Sequence, residues 1–427
     1  MNKLFFVIII FLISSKAVVA QTISDSEEEW EISSTTHLWM RGQRSELRET
    51  PLVADSSLMA SAQKSGGFLV QESLRLQKNR HQWLLRPSID ITESLYTLYP
   101  LEGEKIRSKT TAHWNELYWQ FTGHDFWMVA IGLQNYQWGP AELMSPSNPL
   151  FHLFTNSQDP TFQMPGRNIV RLNLTPDANW SVISMFEVMK NEENEFLAEQ
   201  KFAPKKLLKV ERRLENPADY WGLTAGVEQK GDAFIGAYAN NTLAETWSAY
   251  VDVKQTAISE RFHPIARAPL LADMSLQDEA GKPYALGLFG VRLETEDFDC
   301  RYEWLFNELG FNDQDMTLAG LSILPQNPNF RQNQSRFFNS GRELPSRNYD
   351  YLSLRFNRFF SFKNLGFALR TLRSKRDDSS MMTAQWDGTW RDNWTFYFSA
   401  QFSPKNNSGE MNMLYKNKLN SGIKYTW

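Results

Sequence analysis

Cysteine occurs once in the 427 residues, at Cys300, and histidine only six times. One thiol cannot make a disulfide framework, a CxxC redox site or a cysteine-rich zinc site. His37, His81, His113, His124, His152 and His263 are scattered. None has the HExxH spacing of a zinc hydrolase, and no GxSxG elbow occurs. The pattern calls for no metal, cofactor or catalytic group. A surplus of positive charge is also missing: the formal net charge is -4, which argues against a nucleic-acid partner. Long apolar runs are confined to the first residues. Nothing later approaches the ~20 apolar residues of a membrane helix.

That first run has its own meaning. Lys3 precedes the apolar stretch Leu4 to Ile13, and Val18-Val19-Ala20 comes before Gln21. The pattern predicts a secretory signal peptide over residues 1–20. Residues 21–34, with Asp25, Glu27, Glu28 and Glu29, read as an acidic periplasmic tail, and residues 35–427 as one membrane unit.

What the chain has in plenty is aromatic residues, 14% of the total with 15 Trp and 29 Phe. They recur with period two. Leu117, Trp119 and Phe121 alternate with Glu116, Tyr118 and Gln120. Trp127, Val129, Ile131 and Leu133 alternate with Met128, Ala130, Gly132 and Gln134. Phe298, Cys300, Tyr302, Trp304 and Phe306 oppose Asp299, Arg301 and Glu303. Trp394, Phe396 and Phe398 oppose Thr395, Tyr397 and Ser399. At the end of the chain Ile423, Tyr425 and Trp427 share one face. Alternation of this kind, closed by an aromatic strand, predicts an all-β transmembrane antiparallel barrel in the outer membrane of a Gram-negative bacterium. Its expected partners are outer-membrane lipid and, through the last strand, the barrel-assembly machinery.

Turn lengths orient the barrel. Short connections such as Thr122 to Asp125, Thr175 to Asn179, Thr295 to Asp297 and Arg391 to Asn393 fall on the periplasmic side. Long ones, Leu52 to Gly66, Gly139 to Gly166, Thr256 to Gly281 and Gly310 to Arg347, fall outside. The segments number about 18, with 16 the alternative.

The most distinctive loop is Gln137-Trp138-Gly139-Pro140-Ala141-Glu142-Leu143-Met144-Ser145-Pro146-Ser147-Asn148-Pro149. Its Gly and three Pro fix its shape. It reads either as a constriction folded into the lumen or as a saccharide platform, with Trp138, Glu142 and Asn148 as contacts. A strand running into Trp138-Gly139-Pro140 and then Ser145 to Pro149 resembles Wzi-type capsule-assembly barrels and alginate-export-like porins. The segments from Lys209 to Arg213, Tyr284 to Arg292 and Gly422 to Trp427 follow the same layout. The resemblance implies handling of an exported or extracellular polysaccharide.

Projecting the alternation inward places Arg86, Arg171, Lys209, Arg213, Arg292, Arg301, Arg355 and Arg370 on the lumen, with Asp90, Glu211, Asp299 and Glu303 as the acids. Such cations would favour anionic permeants, or else brace the wall through carboxylate pairs. The functional expectation is passage or surface handling of a polysaccharide or small hydrophilic solute. The alternatives are a plugged barrel acting as a surface lectin or assembly factor, and an outer-membrane hydrolase.

Overall fold

In the computed structural model the strands run, in chain order, β1 (Glu31–Leu47), β2 (Ala62–Lys78), β3 (His81–Leu98), β4 (Gly103–His124) and β5 (Trp127–Gln134). After the distinctive loop come β6 (Arg167–Leu174), β7 (Trp180–Met189), β8 (Lys206–Arg213), β9 (Tyr220–Val227), β10 (Ala233–Ala244) and β11 (Trp247–Thr256). A small hairpin, β12 (Phe262–Ala268) and β13 (Leu271–Leu276), precedes β14 (Tyr284–Glu294) and β15 (Phe298–Asn307). Helix α1 (Asp313–Ser322) separates these from β16 (Asn348–Phe356), β17 (Leu365–Ser374), β18 (Ser380–Trp390), β19 (Trp394–Phe402) and β20 (Tyr415–Thr426). The structure describes residues 30–47, 62–98, 103–151, 166–189, 204–227, 233–257, 262–268, 271–276, 283–324, 326–329, 332–333, 336–337, 344–358, 364–391, 393–403 and 415–427.

All strands except β12 and β13 form one 18-stranded antiparallel sheet. It closes on itself because β20 pairs with both β19 and β1. At the seam the Thr36 and Trp427 backbones exchange two hydrogen bonds, of 3.1 and 3.2 Å. Closure leaves no sheet edge to expose unpaired backbone to lipid. The strand number meets the larger of the two expectations. The first strand starts at Glu31, inside the segment read as the tail, because Ile32 and Ser34 pair with Leu76 and Leu74 of β2. The signal segment lies outside the described residues.

Alternation shows directly in exposure. Ile131, Phe289, Leu352 and Phe396 are exposed on the outer wall, while Ala130, Leu288, Tyr351 and Tyr397 beside them are buried inside. The outer wall is therefore an apolar belt, as lipid requires. Aromatic contacts gather at the short-turn end: Trp394 against Tyr425 (4.8 Å between centroids), Phe298 against Phe356 (4.9 Å) and Phe367 against Trp386 (5.0 Å). Rings gathered at one level form the interfacial girdle such barrels use. The barrel is a transmembrane one of the outer membrane. Strands β1 to β4, with 17, 17, 18 and 22 residues, are far longer than the ~10 residues that cross a bilayer, so this wall projects beyond it.

The long connections carry structure that alternation could not reveal. Residues read as loop form the β12–β13 hairpin and α1, which share a small core of Phe262, Met274, Phe311, Ala319, Ile323 and Phe337. Asn312 caps α1: its side chain accepts from the Asp315 backbone N–H, and the Asp315 carboxylate accepts from that of Asn312. This capping box satisfies two donors that a helix start leaves free. Beneath it Asp273 accepts from Asn333 (3.0 Å) and pairs with Arg267 (2.6 Å), tying hairpin to helix segment.

Candidate functional site

At the end of β5 the chain turns into the lumen. The Asn135 N–H donates to the Glu116 carboxylate (3.1 Å) on β4, and residues 138–151 then cross the interior. Two buried carboxylates on the far wall hold the loop by its backbone. Asp252 of β11 accepts from the Ser145 hydroxyl and the Ser147 N–H, each at 2.6 Å. Glu303 of β15 accepts from the Glu142 N–H (2.7 Å), the Leu143 N–H (2.8 Å) and the Tyr250 hydroxyl (2.6 Å). Both acids are 0% exposed. Burial of a charge is tolerable only where hydrogen bonds replace water, which these donors do. Gly139 is required where it stands: its φ is +101°, and a Cβ there would overlap Ser145 and Asp252.

Apolar anchors flank these clamps. Trp138, Leu150 and Phe151 pack with Ile169, Ile183, Met185, Leu207, Phe234 and Tyr238. Leu143 and Met144 pack with Tyr250, Leu286, Leu288, Leu305, Tyr349, Tyr351 and Leu372. Inward apolar side chains on β6–β8 and β14–β15 would be out of place against water. Here they are the bed of the loop. Asn148 is buried and folds onto its own chain, accepting from the Leu150 (3.3 Å) and Phe151 (3.0 Å) N–H groups. Trp138 and Asn148, expected as solute contacts, are thus enclosed structural residues, because their neighbours cover both. Of the three expected loop contacts, Glu142 keeps a side chain 26% exposed.

The cations expected to line the lumen all fall on inward strand positions, but most have partners. Arg86 pairs with Glu116, directly opposite it in register. Lys209 pairs with Glu211 (2.8 Å) among the rings of Tyr136, Trp138 and Tyr238. The Arg171 guanidinium stacks 4.4 Å above Tyr136. Asp299 braces Arg292 (2.9 Å) and Arg301 (3.1 Å), as expected of that acid. Glu303, assigned to the same brace, is committed to the loop backbone instead. Arg370 reaches Glu142 (3.2 Å) and Gln385 (3.1 Å). Arg213 and Arg355 are exposed near the short-turn end and form no ion pair among the described residues. Sequence reasoning missed Asp252, Tyr250 and Tyr351, and also Arg41 of β1, which pairs with Asp90. A carboxylate flanked by apolar residues, as in Tyr250-Val251-Asp252-Val253, was the available signal.

A closed 18-stranded barrel with an apolar outer belt, and with residues 138–151 clamped inside it, defines a transmembrane β-barrel of the outer membrane. Among solved structures the fold is similar to OccK7 (OpdD) of Pseudomonas aeruginosa, at 10% identity and a TM-score of 0.53, covering 93% of this chain and 99% of that one. It is also similar to OccAB1 of Acinetobacter baumannii (8% identity, TM-score 0.53, 93% and 96% covered). Pseudomonas aeruginosa OpdL is a third such structure (11% identity, TM-score 0.50, 93% and 99% covered). No family model matches the chain, and no curated protein matches it in sequence. These neighbours correct the resemblance to Wzi-type and alginate-export-like barrels: the solved structures whose fold this barrel shares are OccK7, OccAB1 and OpdL. In this chain the Trp-Gly-Pro segment that carried the resemblance bends the backbone into the lumen, with Trp138 packed in the wall cluster and Gly139 at the Asp252 clamp.

Proposed function

We propose that the protein is a passive channel for small hydrophilic solutes, with residues 138–151 setting its aperture and the inward arginines favouring anionic groups. One observation carries the reading. The clamps Asp252 and Glu303 and the cores that hold Trp138, Leu143, Met144, Leu150 and Phe151 are centred on the wall from β6 to β17, with Met381 of β18 at their edge, and a second wall runs from β19 and β20 on through β1–β3. A loop held to one side narrows a lumen. That second wall carries Arg41, Asp90, Thr92, Asn420 and Lys424, polar groups able to replace a solute's hydration. A niche of about 190 Å³ lies there, lined by Arg41, Gln43, Ser65, Thr92, Tyr397 and Asn420.

Planar-bilayer recording on the refolded barrel tests this. The expected result is steady unitary conductance with a modest preference for anions, reduced in Arg213→Glu and Arg355→Glu. Silence from a folded, heat-modifiable barrel would mean a sealed lumen and would favour a surface-binding protein.

A further inference from the structure

The carboxylate of Glu142 has an environment that holding the loop does not explain. Its backbone N–H and that of Leu143 are already secured by Glu303, and Leu143 and Met144 are buried in the wall cluster. The side chain reaches past these anchors into a niche on β15–β17. There Oε1 accepts from the Arg370 Nε (3.2 Å), the Tyr351 hydroxyl (3.0 Å) and, at longer range, the Ser353 hydroxyl (3.4 Å). Oε2 lies 3.6 Å from the Arg301 Nε. Two guanidinium groups and two hydroxyls converging on one carboxylate make an anion-binding geometry. Glu142, Arg301 and Arg370 are 26%, 20% and 16% exposed, so the niche borders water.

Charge around the niche sharpens the point. Arg292, Arg301 and Arg370 face two carboxylates, Asp299 and Glu142, while Glu294 neutralises Arg292 from the short-turn rim. Glu303 is enclosed and spent on backbone donors. Withdrawing Glu142 leaves Arg370 without an anionic partner among the described residues.

We propose that Glu142 is a built-in counter-ion: it fills the Arg301–Arg370–Tyr351 niche in the resting channel and thereby holds down the anion preference of the constriction. An anionic group on a solute meets this niche in competition with the loop's own carboxylate. The assignment rests on the channel reading for its effect on selectivity, but the filling of the niche does not.

Glu142→Gln keeps the size of the side chain and removes its charge. A unit charge roughly 6 Å from an ion path in water-like surroundings changes ion occupancy about threefold. Anion occupancy should rise and cation occupancy fall by that factor each, so the reversal potential in a salt gradient should shift toward anions by up to about tenfold in permeability ratio, with open-channel noise close to wild type. Phenylglyoxal labelling of the folded barrel, read by peptide mass spectrometry, should rise several-fold at Arg301 and Arg370 and stay unchanged at Arg355. Unchanged selectivity and labelling would overturn the proposal. So would a rise in noise with unchanged labelling, since Glu142 would then be a loop clamp. If the wild type is silent, the channel reading fails separately, and labelling alone decides whether Glu142 fills the niche.

Discussion

Glu303→Ala should release half of the lumen loop while leaving the barrel standing. The Glu303 carboxylate satisfies two backbone N–H groups and the Tyr250 hydroxyl, all in a fully buried setting. A buried donor stripped of its partner costs about 1–3 kcal/mol, so three together cost at least roughly 3 kcal/mol. The opposing term is the burial of Leu143 and Met144, about 1.5–3 kcal/mol each. The two are of similar size, so the segment around residues 141–145 should come off the wall for a substantial part of the time. The Trp138 and Asp252 anchors, which Glu303 does not touch, should keep the rest in place. Single-channel recording should show raised mean conductance and strong open-channel noise. Heat-modifiable mobility should persist, because strand pairing is unaltered. Glu303→Gln should be intermediate, since its amide oxygen still accepts but its NH₂ faces donors. A quiet, wild-type conductance from folded Glu303→Ala would refute the view that this carboxylate clamps the loop.

Three further outcomes follow from other contacts. Gly139→Ala forces a side chain into a left-handed backbone at the Ser145–Asp252 contact, a strain of about 1–3 kcal/mol; recording should show loop noise, and urea titration no loss of barrel stability. Leu352→Arg places a charge on the lipid face and should cost up to about 2–4 kcal/mol, depending on its depth, in reversible folding into liposomes. The last concerns pH. Burial alone would raise the Asp273 carboxyl, but hydrogen bonds from Asn333 and Asn329 and the Arg267 guanidinium outweigh it and hold the group below the ordinary carboxylate range. A depressed folded-state value means a stabilisation fully present above the unfolded value of about 4 and lost as pH falls through the folded one. Protease cleavage in the β12–β13 and α1 region should therefore rise only in acid, and Asp273→Asn should show that sensitivity already at neutral pH.

The inward face was legible because lipid punishes error. A one-residue slip of β15 would have put Asp299, Arg301 and Glu303 into hydrocarbon, so alternation alone fixed their side of the wall. What those residues touch was not legible. Asp299 and Glu303 are two positions of one alternating row; the first braces arginines and the second holds the backbone of Leu143, 160 residues earlier in the chain. The difference lies in where the loop lands. Inward Ile183, Met185, Leu207, Leu286, Leu288 and Leu305 break the polar-lumen rule for the same reason, since they face a loop rather than water. Helix α1 escaped notice because Asp313 to Ser322 has no apolar stripe and buries Ala319 and Ser322.

That distinction bears on how charge inside such a barrel is read. Eight cations on inward positions suggest a strongly basic lumen, yet Arg86, Lys209, Arg292, Arg301 and Arg370 each stand against a carboxylate. A paired arginine contributes a dipole, whose field dies away faster with distance than that of a free charge. The field that a solute meets is set by cations whose partner can be dislodged and by those without one. Arg213 and Arg355 at the short-turn end belong to the second kind. Arg370 belongs to the first, because its partner Glu142 sits on a loop, borders water and is anchored by its backbone rather than by its charge. Where a lumen loop supplies the counter-ions for its own barrel wall, sequence changes in that loop can retune selectivity without altering any strand.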